Sequence, residues 1–151
     1  MTLPLVAAAP QNSRVVAALI AAYRATHYCV NGVTPPFLMK VDQMSTDLDD
    51  CQRAHGVSCS AFLTAWNPWS RATAEEINHA AQRELAALLS GRGHRVLEGL
   101  AVDPTGHWEG EESFLVLGIG CNEAIEVGRK FRQNGFLWSA ADAVPRLVLL
   151  E

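Results

Sequence analysis

The chain has 151 residues, 49% hydrophobic and 19% charged, and this length and composition predict one globular domain rather than a disordered segment. Its formal net charge is -4 with Lys and Arg spread thinly, which argues against a nucleic-acid partner because phosphate binding needs a basic surface. No apolar stretch reaches the ~18 residues that would span a bilayer, so we expect no membrane partner either.

Residues 1–12 contain a short apolar run with no preceding Lys or Arg, which predicts a disordered tail rather than a secretory signal. Residues 13–151 are expected to form a single α+β domain. Asn12 or Ser13 can cap a helix that extends to about residue 24, and two short strands are predicted at residues 26–31 and 37–41.

A second short helix is predicted to open at Thr46, which forms a variant capping box with Asp49, and to end at Gly56. Thr73 and Glu76 form a regular capping box for a long helix that Gly91 would stop. A last helix is expected at about residues 122–132. The strands predicted for this second half of the chain are residues 58–66, 95–102, 111–117, 136–139 and 146–150.

From residue 58 onward the predicted order is therefore β-α-β-β-α-β with one further strand. This order is typical of an antiparallel sheet of split β-α-β (ferredoxin-like) arrangement, here with an N-terminal helix-strand-strand-helix extension. In that arrangement the end of the first strand, the starts of the third and fourth strands and the tip of the hairpin meet at one end of the sheet. Polar side chains that are far apart along the chain would then lie close together.

The side chains predicted to meet there are mostly neutral amides, with one carboxylate and two indoles as walls. Neighbouring strand residues point to opposite faces, so only one of Glu111 and Glu112 can face such a site. Glu112 is the slightly preferred choice because it is in phase with Phe114 and Val116. The predicted binding residues are Trp66, Asn67, Ser70, Asn78, Trp108, Glu112, Gln133 and Asn134.

Three segments share their spacing with a known family. They are residues 64–70 (TAWNPWS), Trp108 with residues 111–116 (EESFLV), and Phe131 with Gln133, Asn134 and Phe136. With this pattern the chain resembles a bacterial family of small proteins classed as domain of unknown function 3293, over about residues 23–149. The resemblance implies no activity, and it strengthens the predicted position of the site without indicating its chemistry.

Neutral amides with a single carboxylate favour a small polar molecule, such as a nucleoside, sugar or amino-acid derivative, over a polyanion. In an enzyme, Glu112 or Glu111 would be the acid or base. The rival hypothesis is a protein-interaction or regulatory module that uses exposed tryptophans and the edge strand at residues 37–41. A third reading remains open, in which the amides only tie loops together and the tryptophans only pack.

The cysteines and histidines carry no recognisable metal or redox spacing. Four cysteines, Cys29, Cys51, Cys59 and Cys121, are irregularly placed without a C-x-x-C pair, which predicts reduced thiols in a cytoplasmic protein. The five histidines show no H-x-x-x-H pattern. We therefore expect neither a metal site nor a cofactor.

Overall fold

The computed structural model describes residues 5–6 and 13–150, which form four α-helices, one 3₁₀ turn (Pro68–Ser70) and eight strands. The α+β class predicted from the sequence is confirmed. The helices are α1 (Ser13–Ala25), α2 (Thr46–Ala54), α3 (Glu75–Gly91) and α4 (Cys121–Lys130). The strands are β1 (Leu5–Val6), β2 (His27–Val30), β3 (Phe37–Met39), β4 (Ser60–Leu63), β5 (Arg95–Val102), β6 (Glu111–Leu117), β7 (Gly135–Ser139) and β8 (Arg146–Leu149).

All eight strands belong to one sheet, in the order β1-β8-β7-β4-β6-β5-β2-β3. Every described pairing is antiparallel except that of β1 with β8. Because β4 lies between β6 and β7, the end of β4 and the starts of β6 and β7 reach the same end of the sheet. Leu63 pairs with Phe114 at this end, and Ala101 of β5 pairs with Glu111.

Helices cover both faces of the sheet, so both the odd-numbered and the even-numbered side chains of a strand can be buried. In β6, Leu115 and Leu117 pack in a cluster with residues of α1 and α2, whereas Val116 packs in a cluster with residues of α3 and α4. Strands that are apolar on both faces read as nearly continuous hydrophobic runs. Alternation in the sequence therefore does not reveal which face a given residue occupies.

Two predicted helix caps are wrong, and local hydrogen bonds explain both. Ser45, rather than Thr46, caps α2 by accepting a hydrogen bond from the Leu48 N–H at 3.0 Å. The cap residue of α3 is Ala74, and the hydroxyl of Thr73 donates to the Arg71 carbonyl instead of capping the helix. α3 ends at Gly91, the residue predicted to stop it, and the left-handed residue that follows is Gly93, with φ +85°.

The strand predicted at residues 58–66 is shorter, because its last residues bond to side chains instead of neighbouring strands. The hydroxyl of Thr64 donates to the Glu112 carbonyl at 2.6 Å and accepts from the Trp66 N–H at 3.0 Å. The Ala65 N–H donates to the side-chain oxygen of Gln82 in α3. The chain thus leaves the sheet after Leu63 and begins the loop that bears Asn67.

The disordered tail predicted for residues 1–12 lies outside the described residues, apart from Leu5–Val6, which pair in parallel with Val148 and Leu149. Within the described part of the chain, none of the helices combines the length and the apolar character needed to cross a membrane.

Candidate functional site

A cavity of about 400 Å³ lies between α1 and one end of the sheet. Its walls come from α1, from β2, β4, β5, β6 and β7, from the loop after β4, from the tip between β5 and β6 and from the segment after α4. Five of the eight predicted binding residues line it, together with the alternative carboxylate. These are Trp66, Asn67, Ser70, Trp108 and Gln133, with Glu111.

The carboxylate in the cavity is that of Glu111, and the preference for Glu112 is corrected. Glu111 shares the parity of Ser113 and Leu115, whose face of β6 meets α1, whereas Glu112 shares the parity of Val116 and faces α3. The prediction failed because it took the Phe114 and Val116 face to be the one bearing the site. Glu112 lines a separate recess, where its carboxylate lies 3.4 Å from Nδ1 of His79.

Asn78 supports the cavity from behind rather than lining it. Its side chain, 2% exposed on α3, accepts from the Asn67 N–H at 2.9 Å and donates to the Asn67 side-chain oxygen at 2.9 Å and the Thr73 carbonyl at 3.2 Å. The Asn67 amide nitrogen in turn donates to Oε2 of Glu111 at 2.9 Å. A chain of amides therefore connects α3 to the cavity carboxylate and fixes its position.

Gln133 and Asn134, which follow α4, connect the other wall. The Gln133 amide nitrogen donates to the carbonyls of Trp66 and Phe131 at 3.3 and 3.2 Å. Asn134 is not part of the cavity lining; its amide nitrogen donates to the Ser70 hydroxyl at 2.7 Å. The two residues thus hold the loop after β4 against the end of α4.

That loop has an unusual backbone. Asn67, Trp69 and Ser70 all have positive φ, at 47°, 56° and 58°. Asn tolerates this left-handed region, but a bulky residue such as Trp is rarely found there, and such conformations persist only where the surroundings impose them. Here the Trp69 N–H donates to the Arg132 carbonyl at 2.7 Å, and the Ser70 N–H donates to the Asn67 carbonyl. Strained backbone of this kind is concentrated at functional sites.

The sequence did not indicate the aromatic wall that α1 and the sheet interior contribute. Tyr23, Tyr28, Phe62 and Phe136 all line the cavity, and the rings of Tyr28 and Phe62 meet edge to face with centroids 5.3 Å apart. Leu19 and Tyr23 are four residues apart, and this spacing in the sequence indicates only that one face of α1 is buried. No local signal tells which end of the sheet that face covers.

The cavity is electrostatically one-sided. Burial raises the pKa of Glu111, and the hydrogen bond from Asn67 opposes this shift only in part. Burial also raises the pKa of the Tyr23 and Tyr28 phenols, so both remain neutral. None of the lining residues is Lys, Arg or His. Among the described residues, no cluster of three or more His, Cys, Asp or Glu could hold a metal ion.

Residues 63–135 match the model of a family described as Protein of unknown function (DUF3293), which confirms the family resemblance over this segment, a shorter one than the predicted residues 23–149. The matched segment contains the strained loop, α3, β6 and α4, and thus the whole amide chain from Asn78 to Glu111. No curated protein and no solved structure matches the chain.

Proposed function

We propose that the chain binds a small polar molecule in the cavity between α1 and the sheet. The observation that carries the proposal is a half-buried carboxylate, Glu111, held by an amide network at the wall of a cavity of about 400 Å³. Ligand cavities typically have ~300–1,000 Å³, mainly apolar walls and a few placed polar groups. The aromatic walls and the few polar groups of this cavity agree with that description.

The strained loop supports the same proposal. Three left-handed residues in a row of four would cost free energy without benefit in a loop that only connects two elements, at ~1–3 kcal/mol each for the sparsely populated conformations. Two of the three, Asn67 and Ser70, line the cavity together with the preceding Trp66. In an enzyme, Glu111 would be the acid or base, because burial shifts its pKa toward neutral pH, where proton transfer is most effective.

The alternative, a protein-interaction module, has weaker support. Trp69 is 40% exposed, and Leu38 of the edge strand β3 is 45% exposed. However, β3 is only three residues long, and very short edge strands are a common means of preventing strand addition. Trp108 lines the cavity in addition to being exposed, so it fits the binding proposal at least as well.

We further propose that β4 to β7 be classed as a split β-α-β (ferredoxin-like) unit, with α1 to α2 as its extension. The order β7-β4-β6-β5 in the middle of the sheet supports this class. A cytoplasmic location is proposed from the cysteines, which are all free.

The test is a thermal-shift screen of small polar metabolites in which the wild type is compared with a variant whose cavity is filled by a substituted side chain. Ala22 is exposed and lines the cavity, whereas its neighbour Ala21 is exposed and does not line it. At least one compound should stabilise the wild type and Ala21→Phe but not Ala22→Phe, because only the second ring enters the cavity. A screen without any stabilising compound, or equal stabilisation of both variants, would contradict the proposal.

A further inference from the structure

Many of the side-chain hydrogen-bond donors that line the cavity are already used by the protein. The hydroxyls of Thr26, Thr64, Ser113 and Tyr28 donate to main-chain carbonyls at 2.6–3.1 Å, those of Ala22, Glu112, Glu111 and Tyr23 respectively. The amide nitrogen of Gln133 donates to two further carbonyls. Among the described residues, the side-chain donors that remain are the indole N–H groups of Trp66 and Trp108, the second Asn67 amide proton and the hydroxyls of Tyr23 and Ser70.

The strongest acceptor, the carboxylate of Glu111, by contrast has one oxygen that is still available. Oε2 of Glu111 accepts from Asn67, while Oε1 accepts no hydrogen bond from any described residue. Glu111 also has no ion-pair partner among the described residues, whereas Glu112, Glu123 and Glu126 all pair with His or Arg. A half-buried carboxylate without a counter-charge is costly to desolvate, so it favours an occupant that supplies a positive charge and hydrogen-bond donors.

The walls suit such an occupant. Six aromatic rings line the cavity, and the negative faces of such rings attract cations, tryptophan most strongly. A neutral sugar would leave the carboxylate without a counter-charge, and an anion would be repelled by it. The lining rings are those of Tyr23, Tyr28, Phe62, Trp66, Trp108 and Phe136.

Building on the proposed function, we infer that the cavity binds a small organic cation, an amine with an aromatic body, whose ammonium group contacts Oε1 of Glu111. The ring of the amine packs against the aromatic walls. The positively charged head and the flat apolar body together match the one-sided charge and the wall composition of the cavity.

Two pairs of probes test the inference, each an amine and the alcohol of the same shape: tryptamine with tryptophol, and benzylamine with benzyl alcohol. Binding is followed by NMR through the indole N–H signals of Trp66 and Trp108. The Trp138 indole is an internal control, because it donates to the Ile119 carbonyl and does not line the cavity. The matched variants are Glu111→Gln and Glu112→Gln, neighbours on opposite faces of β6.

We expect at least one amine to bind the wild type at least about tenfold more tightly than its alcohol, the difference expected of a charged hydrogen bond. Glu111→Gln should remove this preference, whereas Glu112→Gln should keep it. The indole signals should shift at Trp66 or Trp108 and not at Trp138.

Three results would overturn the inference. The first is that the alcohols bind as tightly as the amines, and the second is that the preference for amines survives Glu111→Gln. The third is that no amine at ~10 mM, far above the Kd of a useful ligand, shifts the indole signals of Trp66 or Trp108. If the metabolite screen with Ala22→Phe yields a neutral ligand, the proposed function stands and only the choice of a cation fails. If that screen also yields nothing, both fail.

Discussion

Replacement of Asn78 by alanine should detach the strained loop from α3. The substitution removes three hydrogen bonds from a side chain that is 2% exposed: two with Asn67 and one with the Thr73 carbonyl. A buried hydrogen bond contributes ~1 kcal/mol net, so their loss costs about 3 kcal/mol. The higher helix propensity of alanine returns at most ~0.7 kcal/mol. The expected destabilisation is therefore about 2–3 kcal/mol.

For a domain of this length, 1 kcal/mol changes Tm by ~2–4 °C, so Asn78→Ala should lower Tm by about 4–12 °C in calorimetry. Asn122→Ala is the matched control, because Asn122 is exposed in the first turn of α4. It makes the same chemical change without breaking a buried network and should leave Tm nearly unchanged. Equal small effects of the two substitutions would refute the view that Asn78 holds the loop.

Three further outcomes follow from burial and close approach. Glu111→Gln should stabilise the protein at neutral pH, because burial raises the pKa of this carboxyl and the folded state then resists its ionisation. In melts at several pH values, the gain should vanish as pH falls below about 4.5, the ordinary pKa, and a gain that persists there would contradict this view. Gly99→Ala should lower the free energy of unfolding in urea by ~1–3 kcal/mol, because its Cβ would lie 2.7 Å from Cε2 of Phe62 and 2.9 Å from the Cys29 carbonyl oxygen. The control Gly91→Ala, whose Cβ would have nothing within 4 Å, should leave it unchanged. Equal effects of the two substitutions would contradict this close packing at Gly99. The thiols of Cys29, Cys51, Cys59 and Cys121 should alkylate more slowly in the folded than in the denatured protein, as followed by mass spectrometry, because burial raises the pKa of each; equal rates would argue against that burial.

The sequence predicted the elements well where local signals are strong. Residues 95–102 and 111–117 are strands with the predicted ends, because the turn-forming residues 103–106 and Gly118 delimit the apolar runs. An amide on the flank of a buried helix face needs a partner, which the sequence would place in the Asn67 loop, in the strand of Glu111 and Glu112 or in a ligand; in the structure Asn78 bonds to Asn67.

The missed features depend on tertiary packing. Helices on both faces of the sheet bury side chains on both sides of β6, so the alternation of side chains along the strand could not show whether Glu111 or Glu112 faces the cavity. The contribution of Tyr23 and Tyr28 to the cavity depends on where α1 docks, which no local pattern encodes. The cap of α2 was displaced by one residue because the neighbouring Ser45 and Thr46 compete for the same role, and that of α3 because the Thr73 hydroxyl bonds to the Arg71 carbonyl instead.

The pair Glu111 and Glu112 makes the cavity's charge sensitive to insertions. The hairpin tip at residues 103–110 lies outside the sheet, so added residues there would lengthen a surface turn and leave β6 in place. One residue inserted within β6 between Glu112 and Ser113 would instead reverse the facing of every side chain on one side of the insertion. If the residues before the insertion are reversed, Glu112 replaces Glu111 in the cavity. If those after it are reversed, Leu115 and Val116 each move to the opposite face of the sheet. Length variation among related chains should therefore be confined to the tip.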